Sequence, residues 1–194
     1  MQLKLKDLLG TSEAFILEHR ILNAITIVGV FLTLFFSATN YFAGLPIVTV
    51  YGTLFSAFVC ALIHIYSLIT KNFKYHYILA FGFFVFVFLP LFWTINGGSQ
   101  GGTAYYLMFI FAVLKITSRN RNHLFFSIST FVVLTLLIGI EYNFPSIIIG
   151  YNTREERFID ISLSLFIALI AFSVVLEIFS TSTVEPLTEN YYKK

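Results

Sequence analysis

The segment Trp93-Thr-Ile-Asn-Gly-Gly-Ser-Gln-Gly-Gly102 lies in the middle of a stretch without Asp, Glu, Lys or Arg, which reaches from Tyr75 to Leu114. About 20 helical residues suffice to cross the hydrocarbon core of a bilayer, so this stretch is too long for one crossing. Glycine permits positive φ and close backbone approach. The segment therefore predicts a turn between two membrane-spanning helices, on the outer side where Lys and Arg are scarce.

The composition also indicates an integral membrane protein. Of the 194 residues, 58% are hydrophobic and 11% are charged, whereas soluble domains carry about 25% charged residues. So few charged side chains cannot cover a globular surface. The single cysteine excludes an internal disulfide framework and a cysteine-based metal site. We expect the lipid bilayer as a partner, and no cofactor, metal or nucleic acid.

The spacing of charges predicts six transmembrane helices with both termini in the cytoplasm. This arrangement places all 12 Lys and Arg residues on the cytoplasmic side except Arg154 and Arg157, as the positive-inside rule requires. The predicted fold class is all-α integral membrane. Residues 1–20 are expected to form a short cytoplasmic interfacial helix or a partly ordered leader that only sets topology. Residues 21–180 are the predicted six-helix domain, and residues 181–194 are a predicted cytoplasmic tail.

Three local features add detail to this prediction. The first two spans are joined near Ser37 to Pro46, where turn residues collect. Pro90 is expected to kink the third span just before its end. The fourth span, from about Thr103 to Ile116, is short. Either the bilayer thins there, or part of the glycine segment dips inward as an irregular stretch shielded by protein.

Polar residues near the outer helix ends are the candidate ligand-binding residues. A polar group in lipid is costly unless it has a partner or faces a cavity, and aromatic walls with a few polar groups are typical of small-molecule pockets. For a single Tyr, an interfacial aromatic belt is the alternative explanation. Glycine N–H groups near the start of the fourth helix could bind an anionic or carbonyl-bearing ligand, or the glycines only make the turn. The candidates are Trp93, Asn96, Gly97, Gly98, Tyr105, Glu141, Arg157 and Asp160.

Three of these candidates are charged and adjoin apolar spans. Glu141, Arg157 and Asp160 are expected to pair with one another. A structural salt bridge that holds the fifth helix to the sixth is the simplest role for the three.

His64 lies in the middle of the second span. A haem or metal site would need a second ligand at similar depth, and the other histidines lie at the inner ends of helices. We therefore expect His64 to form a hydrogen bond across helices, to Asn23 or to a Ser or Thr hydroxyl. Cys60, one helical turn earlier, is expected to be a small packing residue.

Catalytic motifs are absent from the sequence. It contains no Walker loop, no His-Glu-x-x-His motif, and no Ser-His-Asp or paired-carboxylate arrangement at working spacing. No catalytic residue is predicted within these residues, and the question whether a longer protein is an enzyme stays open.

Several motifs together resemble the six-helix N-terminal sensor module of bacterial membrane histidine kinases, including hybrid kinases. They are Trp93-Thr-Ile-Asn96-Gly97-Gly98-x-x-Gly101, a basic inner loop, Glu141-Tyr142-Asn-Phe-Pro145 and Tyr151-x-x-Arg154-x-x-Arg157-Phe158-x-Asp160. The resemblance covers about residues 15–180. It implies a homodimeric receptor in the bacterial inner membrane, which passes a signal through its sixth helix to a cytoplasmic kinase domain of a two-component system. It also implies that Trp93, Asn96, Gly97, Gly98, Glu141, Arg157 and Asp160 take part in sensing.

The sequence departs from this family at its end. No phosphoacceptor or ATP-binding region follows, and Thr183-Val-Glu-Pro186 is expected to interrupt the helical extension that would reach a kinase. A truncated sensor of a small, lipophilic signal is the favoured interpretation. A transporter or channel is the first alternative, although the middle of the spans is nearly all apolar. A structural or assembly subunit is the second.

Overall fold

The computed structural model describes residues 9–10, 14–42, 44–118 and 123–192, of which 123 and 178–192 are described as backbone only. These residues form an all-helical fold, and they include no strand. The prediction of an all-α protein is confirmed. The long helices are α1 (Leu17–Phe42), α2 (Ile47–Thr70), α3 (Phe73–Ile95), α4 (Thr103–Thr117), α5 (His123–Asn143) and α6 (Arg154–Tyr192). Short 3₁₀ turns, Gly98–Gln100 and Pro145–Ile147, lie in two of the connections.

Five helices are long and apolar enough to cross a membrane. They are α1, α2, α3, α5 and the part of α6 from Arg154 to Glu177. Helix α4 has 15 residues, which at a rise of 1.5 Å per residue extend roughly 22 Å, less than the hydrocarbon thickness of about 30 Å. The chain therefore has the character of a multi-pass membrane protein. A sixth span and the orientation of the termini stay predictions.

Helix α1 extends further than its sequence predicts. It continues past Ser37 to Phe42, so the turn before α2 is shorter than expected. The Ser37 hydroxyl donates to the carbonyl of Val50 at 3.2 Å, which satisfies its polarity without ending the helix. Pro46 immediately precedes α2, as expected for a residue whose missing N–H is not needed there.

Helix α3 contains a π-helical segment, Phe84–Phe88, directly before Pro90. The N–H of Leu89 donates to the carbonyl of Phe84, five residues earlier. Pro90 has no N–H, and in a regular helix its ring presses against the carbonyl of Phe86. The wider π turn gives this ring room. The structure thus accommodates Pro90 through a π segment within a continuous helix.

The first and last long helices extend beyond their predicted bounds, since α1 begins at Leu17 and α6 continues to Tyr192. Residues 1–8 and 11–13 of the predicted interfacial helix lie outside the described residues, and Leu17–Arg20 form the first turn of α1. At the other end, α6 continues as one helix through Pro186 to Tyr192. The predicted interruption at Thr183–Pro186 was therefore wrong. A proline inside a helix removes one hydrogen bond and bends the axis, but the flanking turns can remain helical.

The core is built mainly by α1, α2 and α3. Its most deeply buried apolar side chains include Ile21, Cys60 and Val85, each 1% exposed. The packing role predicted for Cys60 is confirmed. In the most apolar window of α5 only 11% of residues are buried, against 56% in α3. The apolar surface of α5 is therefore available to lipid.

Candidate functional site

The loop between α3 and α4, residues 96–102, is called the glycine loop. Gly97 has φ of 75° and Gly98 has φ of 58°, both in the left-handed region that favours glycine. A Cβ atom at Gly97 would lie 2.5 Å from the ring of Tyr151, and one at Gly98 would lie 2.5 Å from the carboxylate of Glu141. These glycines are therefore required both by backbone conformation and by close approach.

The carboxylate of Glu141, at the end of α5, is held by the glycine loop and by α3. Its Oε2 atom accepts hydrogen bonds from Trp93 Nε1 at 2.8 Å and from the backbone N–H of Ser99 at 3.0 Å. The Ser99 hydroxyl donates to Oε1 at 2.6 Å. One side chain thus joins the ends of α3 and α5 to the loop.

The carboxylate of Asp160, in the second turn of α6, is held in the same way. It accepts hydrogen bonds from Asn96 Nδ2 at 3.2 Å, from the backbone N–H of Gly102 at 2.9 Å and from the Tyr151 hydroxyl at 2.6 Å. A Cβ atom at Gly102 would collide with Ser164. The absence of a side chain at Gly102 therefore lets the start of α4 lie directly against α6.

Tyr151 closes the site from the connection between α5 and α6. Its hydroxyl lies 2.6 Å from Asp160 Oδ2 and 3.1 Å from the backbone oxygen of Asn96. Burial, and after it the hydrogen bond to Asp160, raise the pKa of Tyr151 above its usual value. The phenol therefore keeps its proton and acts as a hydrogen-bond donor to the carboxylate.

The three charged candidates do not pair with one another. Arg157 donates from Nε to the backbone oxygen of Gln100 at 3.2 Å, while Glu141 and Asp160 bind the donors described above. Within the described residues, no ion pair joins the three side chains. The predicted salt bridge was wrong because the loop N–H groups, the indole and the amide, which sequence reasoning assigned to a ligand, are the partners of the carboxylates.

A pocket of about 460 Å³ opens beside the glycine loop. We call it the glycine-loop pocket, and its volume falls within the range of about 300–1,000 Å³ typical of small-molecule sites. Its walls come from the loop, the end of α5, the α5–α6 connection and the first turn of α6. Arg154 and Arg157 contribute two guanidinium groups to the lining, and neither forms a salt bridge with another described side chain. The lining residues are Gly97, Gln100, Glu141, Pro145, Ile148, Gly150, Tyr151, Asn152, Thr153, Arg154 and Arg157.

The predicted site residues fall into three groups. Gly97, Glu141 and Arg157 line the glycine-loop pocket. Four others lie behind its wall and hold it in place, and Tyr105 lies half-buried in the first turn of α4, away from the lining. The predicted set omitted Gln100, Tyr151 and the residues 152–154, although their position among turn residues in the glycine loop and the α5–α6 connection was a usable signal. The supporting residues are Trp93, Asn96, Gly98 and Asp160.

A second group of polar side chains lies at the opposite end of α1, α2 and α3. His19 Nε2 lies 2.7 Å from the Ser67 hydroxyl, which in turn donates to Asn23 Oδ1 at 2.5 Å. His64 Nδ1 lies 3.0 Å from the Thr26 hydroxyl. The predicted hydrogen bond from His64 to a hydroxyl is confirmed.

Sequence reasoning missed the extent of this second polar group. His76 is fully buried, and its ring centre lies 5.0 Å from that of His19. The spacing of His19, Asn23 and Thr26 by four and three residues, which places them on one helix face, was the available signal. In the part of the chain that the structure describes, no group of three or more His, Cys, Asp or Glu side chains could hold a metal ion.

No protein-family model, curated protein or solved structure matches this chain. The resemblance to histidine-kinase sensor modules therefore depends on the short motifs alone. The structure brings three of those motifs together, since Trp93, Glu141 and Asp160 all contribute to one site beside the glycine loop.

Proposed function

We propose that this chain is the membrane sensor module of a signalling protein, in which a small molecule binds in the glycine-loop pocket on the outer face. The observation that carries the proposal is the composition of the pocket wall. One part of the wall is the glycine loop, and another is the first turn of α6, joined to it through Arg157 and Gln100. A ligand in the pocket therefore contacts the helix that extends to the other end of the bundle.

The lining favours a ligand that carries an anionic or carbonyl oxygen. Arg154 and Arg157 present two guanidinium groups to the pocket, and guanidinium recognises carboxylate and phosphate oxygens through paired hydrogen bonds. Pro145, Ile148 and Tyr151 add apolar surface to the pocket. The lipophilic signal expected from the apolar spans is thus refined to a small organic anion with some apolar surface.

The signal would pass through a change in how the glycine loop contacts α6. Arg157 is bound to the carbonyl of Gln100, and Asp160 is bound to Asn96 and Gly102. A ligand carboxylate that binds Arg157 through both Nε and one Nη displaces the Gln100 carbonyl from Nε. Such a ligand shifts the equilibrium between two positions of α6 only by its difference in affinity for them, and a tenfold difference corresponds to about 1.4 kcal/mol.

The proposed connection of α6 to a signalling enzyme is supported by the motif resemblance alone. By that resemblance the module belongs to a homodimer in the bacterial inner membrane, and α6 leads to a cytoplasmic histidine kinase. A homodimer suits such an output because histidine kinases are paired enzymes in that family, and two-fold symmetry is the commonest arrangement of oligomers.

Ligand-dependent stabilisation tests the proposal directly. Purified protein in lipid nanodiscs is heated in the presence of a panel of small carboxylates and organic phosphates, and unfolding is followed by the emission of Trp93, the single tryptophan. A ligand of the pocket should raise the unfolding midpoint in a saturable manner, because binding to the folded state alone stabilises it.

The variant Arg157→Gln should lose this response, whereas Lys74→Gln, which removes one positive charge at the other end of α3, should retain it. Trp93 and Asn96 are unsuitable test positions because their side chains hold Glu141 and Asp160. The proposal fails if no member of the panel shifts the midpoint, or if Arg157→Gln responds as the parent does.

A further inference from the structure

A groove of about 760 Å³ opens on the side of the bundle, between the first half of α3 and the start of α5. Ser118, at the end of α4, completes its lining. The groove shares no residue with the glycine-loop pocket, which lies at the other end of α3. We call it the α3–α5 groove.

The part of α3 that lines this groove places one charge before a stretch of apolar surface. Lys74, Ile78, Gly82 and Phe86 follow one another at intervals of four residues, which places them along one side of the helix. At a rise of 1.5 Å per residue, the distance along the axis from Lys74 to Phe86 is about 18 Å. The groove is thus charged at one end and mainly apolar along its length.

Aromatic rings form the walls of the apolar part. The rings of Phe81 and Phe126 pack against each other, with 4.4 Å between their centres. Phe86 and Phe125 are 52% and 65% exposed, so the protein itself does not cover these rings. A Cβ atom at Gly82 would meet nothing within 4 Å. The groove therefore stays open at the middle of this stretch and can receive a hydrocarbon chain.

Lys74 is the one charged residue in the described lining of the groove. Its side chain is exposed in the first turn of α3, and no acidic side chain shares the lining. This end of α3 is the predicted cytoplasmic end, where an ammonium group at a helix terminus lies at the level of the lipid headgroups. The Tyr77 hydroxyl donates to the carbonyl of Leu114 at 3.2 Å, so its donor is already used within the protein. The charge of Lys74 is the group left for an anion from outside the chain.

We propose that the α3–α5 groove binds an anionic glycerophospholipid. Its phosphate contacts Lys74, and one acyl chain lies along Ile78, Gly82 and Phe86. The positive charge favours an anionic headgroup over a zwitterionic one, and the length of the apolar surface favours a lipid over a free phosphate. This site goes beyond the proposed receptor function and does not depend on it.

Native mass spectrometry of the purified protein in detergent counts bound lipids directly. The two probes are phosphatidylglycerol and phosphatidylcholine with identical acyl chains, so that they differ in the headgroup alone. The first phosphatidylglycerol should bind about fivefold more tightly than phosphatidylcholine, which is the effect expected from one lysine beside an anionic headgroup. Equal affinity for the two lipids would overturn the proposal.

The variant Lys74→Gln tests the headgroup contact and leaves the groove open. It should weaken the binding of phosphatidylglycerol by about fivefold and leave that of phosphatidylcholine unchanged. The matched control is Lys71→Gln, which removes the same charge from an exposed residue outside the lining and should have the smaller effect. Equal effects of the two substitutions would indicate general attraction to a basic surface and would overturn the contact with Lys74.

The variant Gly82→Phe tests the acyl chain, because its ring enters the open part of the groove. It should weaken the binding of phosphatidylglycerol on the order of tenfold, as steric changes in apolar pockets do. Leu79→Phe adds a similar ring at an exposed position of the same helix outside the lining and should leave the affinity unchanged. Equal affinities of the two variants would mean that lipid covers α3 without a defined site.

Two further measurements separate the lipid from other occupants. If inorganic phosphate at the concentration of the lipid displaces phosphatidylglycerol, the site recognises phosphate and not a lipid. If the parent is dimeric and Gly82→Phe is monomeric with unchanged lipid binding, the groove is an interface between two copies of the chain. Either result would overturn the proposal. Arg157→Gln should bind phosphatidylglycerol as the parent does, and Lys74→Gln should still respond to small organic anions, so failure of lipid binding is distinguishable from failure of the proposed function.

Discussion

Replacing Asp160 with Asn tests whether this side chain holds α6 to the glycine loop. Its Oδ2 atom accepts hydrogen bonds from Gly102, Tyr151 and Asn96, and its Oδ1 atom accepts a further one from Asn96 Nδ2 at 3.3 Å. An asparagine amide keeps one acceptor oxygen and places an NH₂ group where the second oxygen was. If its oxygen stays near Gly102 and Tyr151, its NH₂ group faces the NH₂ group of Asn96. At least one hydrogen bond is therefore lost.

The loss of folding stability in Asp160→Asn can be calculated from the strength of these hydrogen bonds. A hydrogen bond to a charged group contributes about 1.5–3 kcal/mol, and a neutral one about 0.5–1.5 kcal/mol. Losing one bond and weakening two others would destabilise the fold by roughly 4 kcal/mol, and the partial exposure of Asp160 reduces this to about 3 kcal/mol. For a chain of this size, such a loss lowers the thermal midpoint by roughly 10 °C.

Reversible unfolding in mixed micelles, followed by Trp93 fluorescence, measures this loss. The control is Glu155→Gln, which removes one negative charge from the first turn of the same helix and should cost less than about 1 kcal/mol. The double variant with Tyr151→Phe should cost less than the sum of the single changes by about 1 kcal/mol, because the residues share a bond. If Asp160→Asn unfolds within 1 kcal/mol of Glu155→Gln, the carboxylate does not hold the helix.

Three further predictions concern the same end of the bundle. Gly98→Ala should destabilise the fold by about 3 kcal/mol, from its positive φ and its contact with Glu141, whereas Gly139→Ala, where a Cβ meets nothing within 4 Å, should not destabilise it in the same unfolding assay. Because the pKa of Tyr151 is raised in the folded state, its contribution to the free energy of unfolding is fully present below pH 10.0, the ordinary pKa of tyrosine. This contribution is lost as the pH rises above that value. In brief unfolding measurements at alkaline pH, the free energy of unfolding of the parent should therefore fall by up to about 1.4 kcal/mol per pH unit more than that of Tyr151→Phe. Equal slopes of unfolding free energy against pH in the two proteins would contradict this. In a Cys60→Ala background, an impermeant maleimide should label Gln100→Cys on intact cells and Lys74→Cys only after permeabilisation; labelling of both from one side would refute the predicted orientation.

The sequence was sufficient to predict the helices but not their partners. Charge-free stretches and turn residues predicted connections near Ser37 to Pro46 and at Trp93 to Gly102, because lipid permits few alternatives to helices. Both connections lie within these ranges, and the first is shorter because α1 continues to Phe42. For the glycine loop the sequence left two roles open, a turn or backbone N–H groups that bind an anionic ligand, and in the structure its N–H groups bind anions. The anions are Glu141 and Asp160 of the same chain, 42 to 58 residues away from the N–H groups they bind. Such pairings depend on helix packing, which sequence spacing does not specify.

Other features depended on tertiary packing in the same way. The salt bridge among Glu141, Arg157 and Asp160 was inferred because all three adjoin apolar spans, but the glycine loop supplies a partner to each of them. A cavity of about 70 Å³ between α1, α3, α4 and α6 was also unpredictable, because it arises where small residues of α1 and α6 meet rings from α3 and α4. The sequence of no single one of these helices identifies this cavity.

The π segment at Phe84–Phe88 fixes the direction in which the end of α3 faces. An α-helix turns by about 100° per residue, and a π turn accommodates one additional residue. A regular helix of the same sequence would therefore rotate Trp93 by roughly a quarter of a turn about the axis, away from Glu141. The shifted backbone hydrogen bond from Leu89 to Phe84 lies more than one helical turn before Trp93. It sets the direction in which the Trp93 indole points, and therefore whether the indole can bind the Glu141 carboxylate.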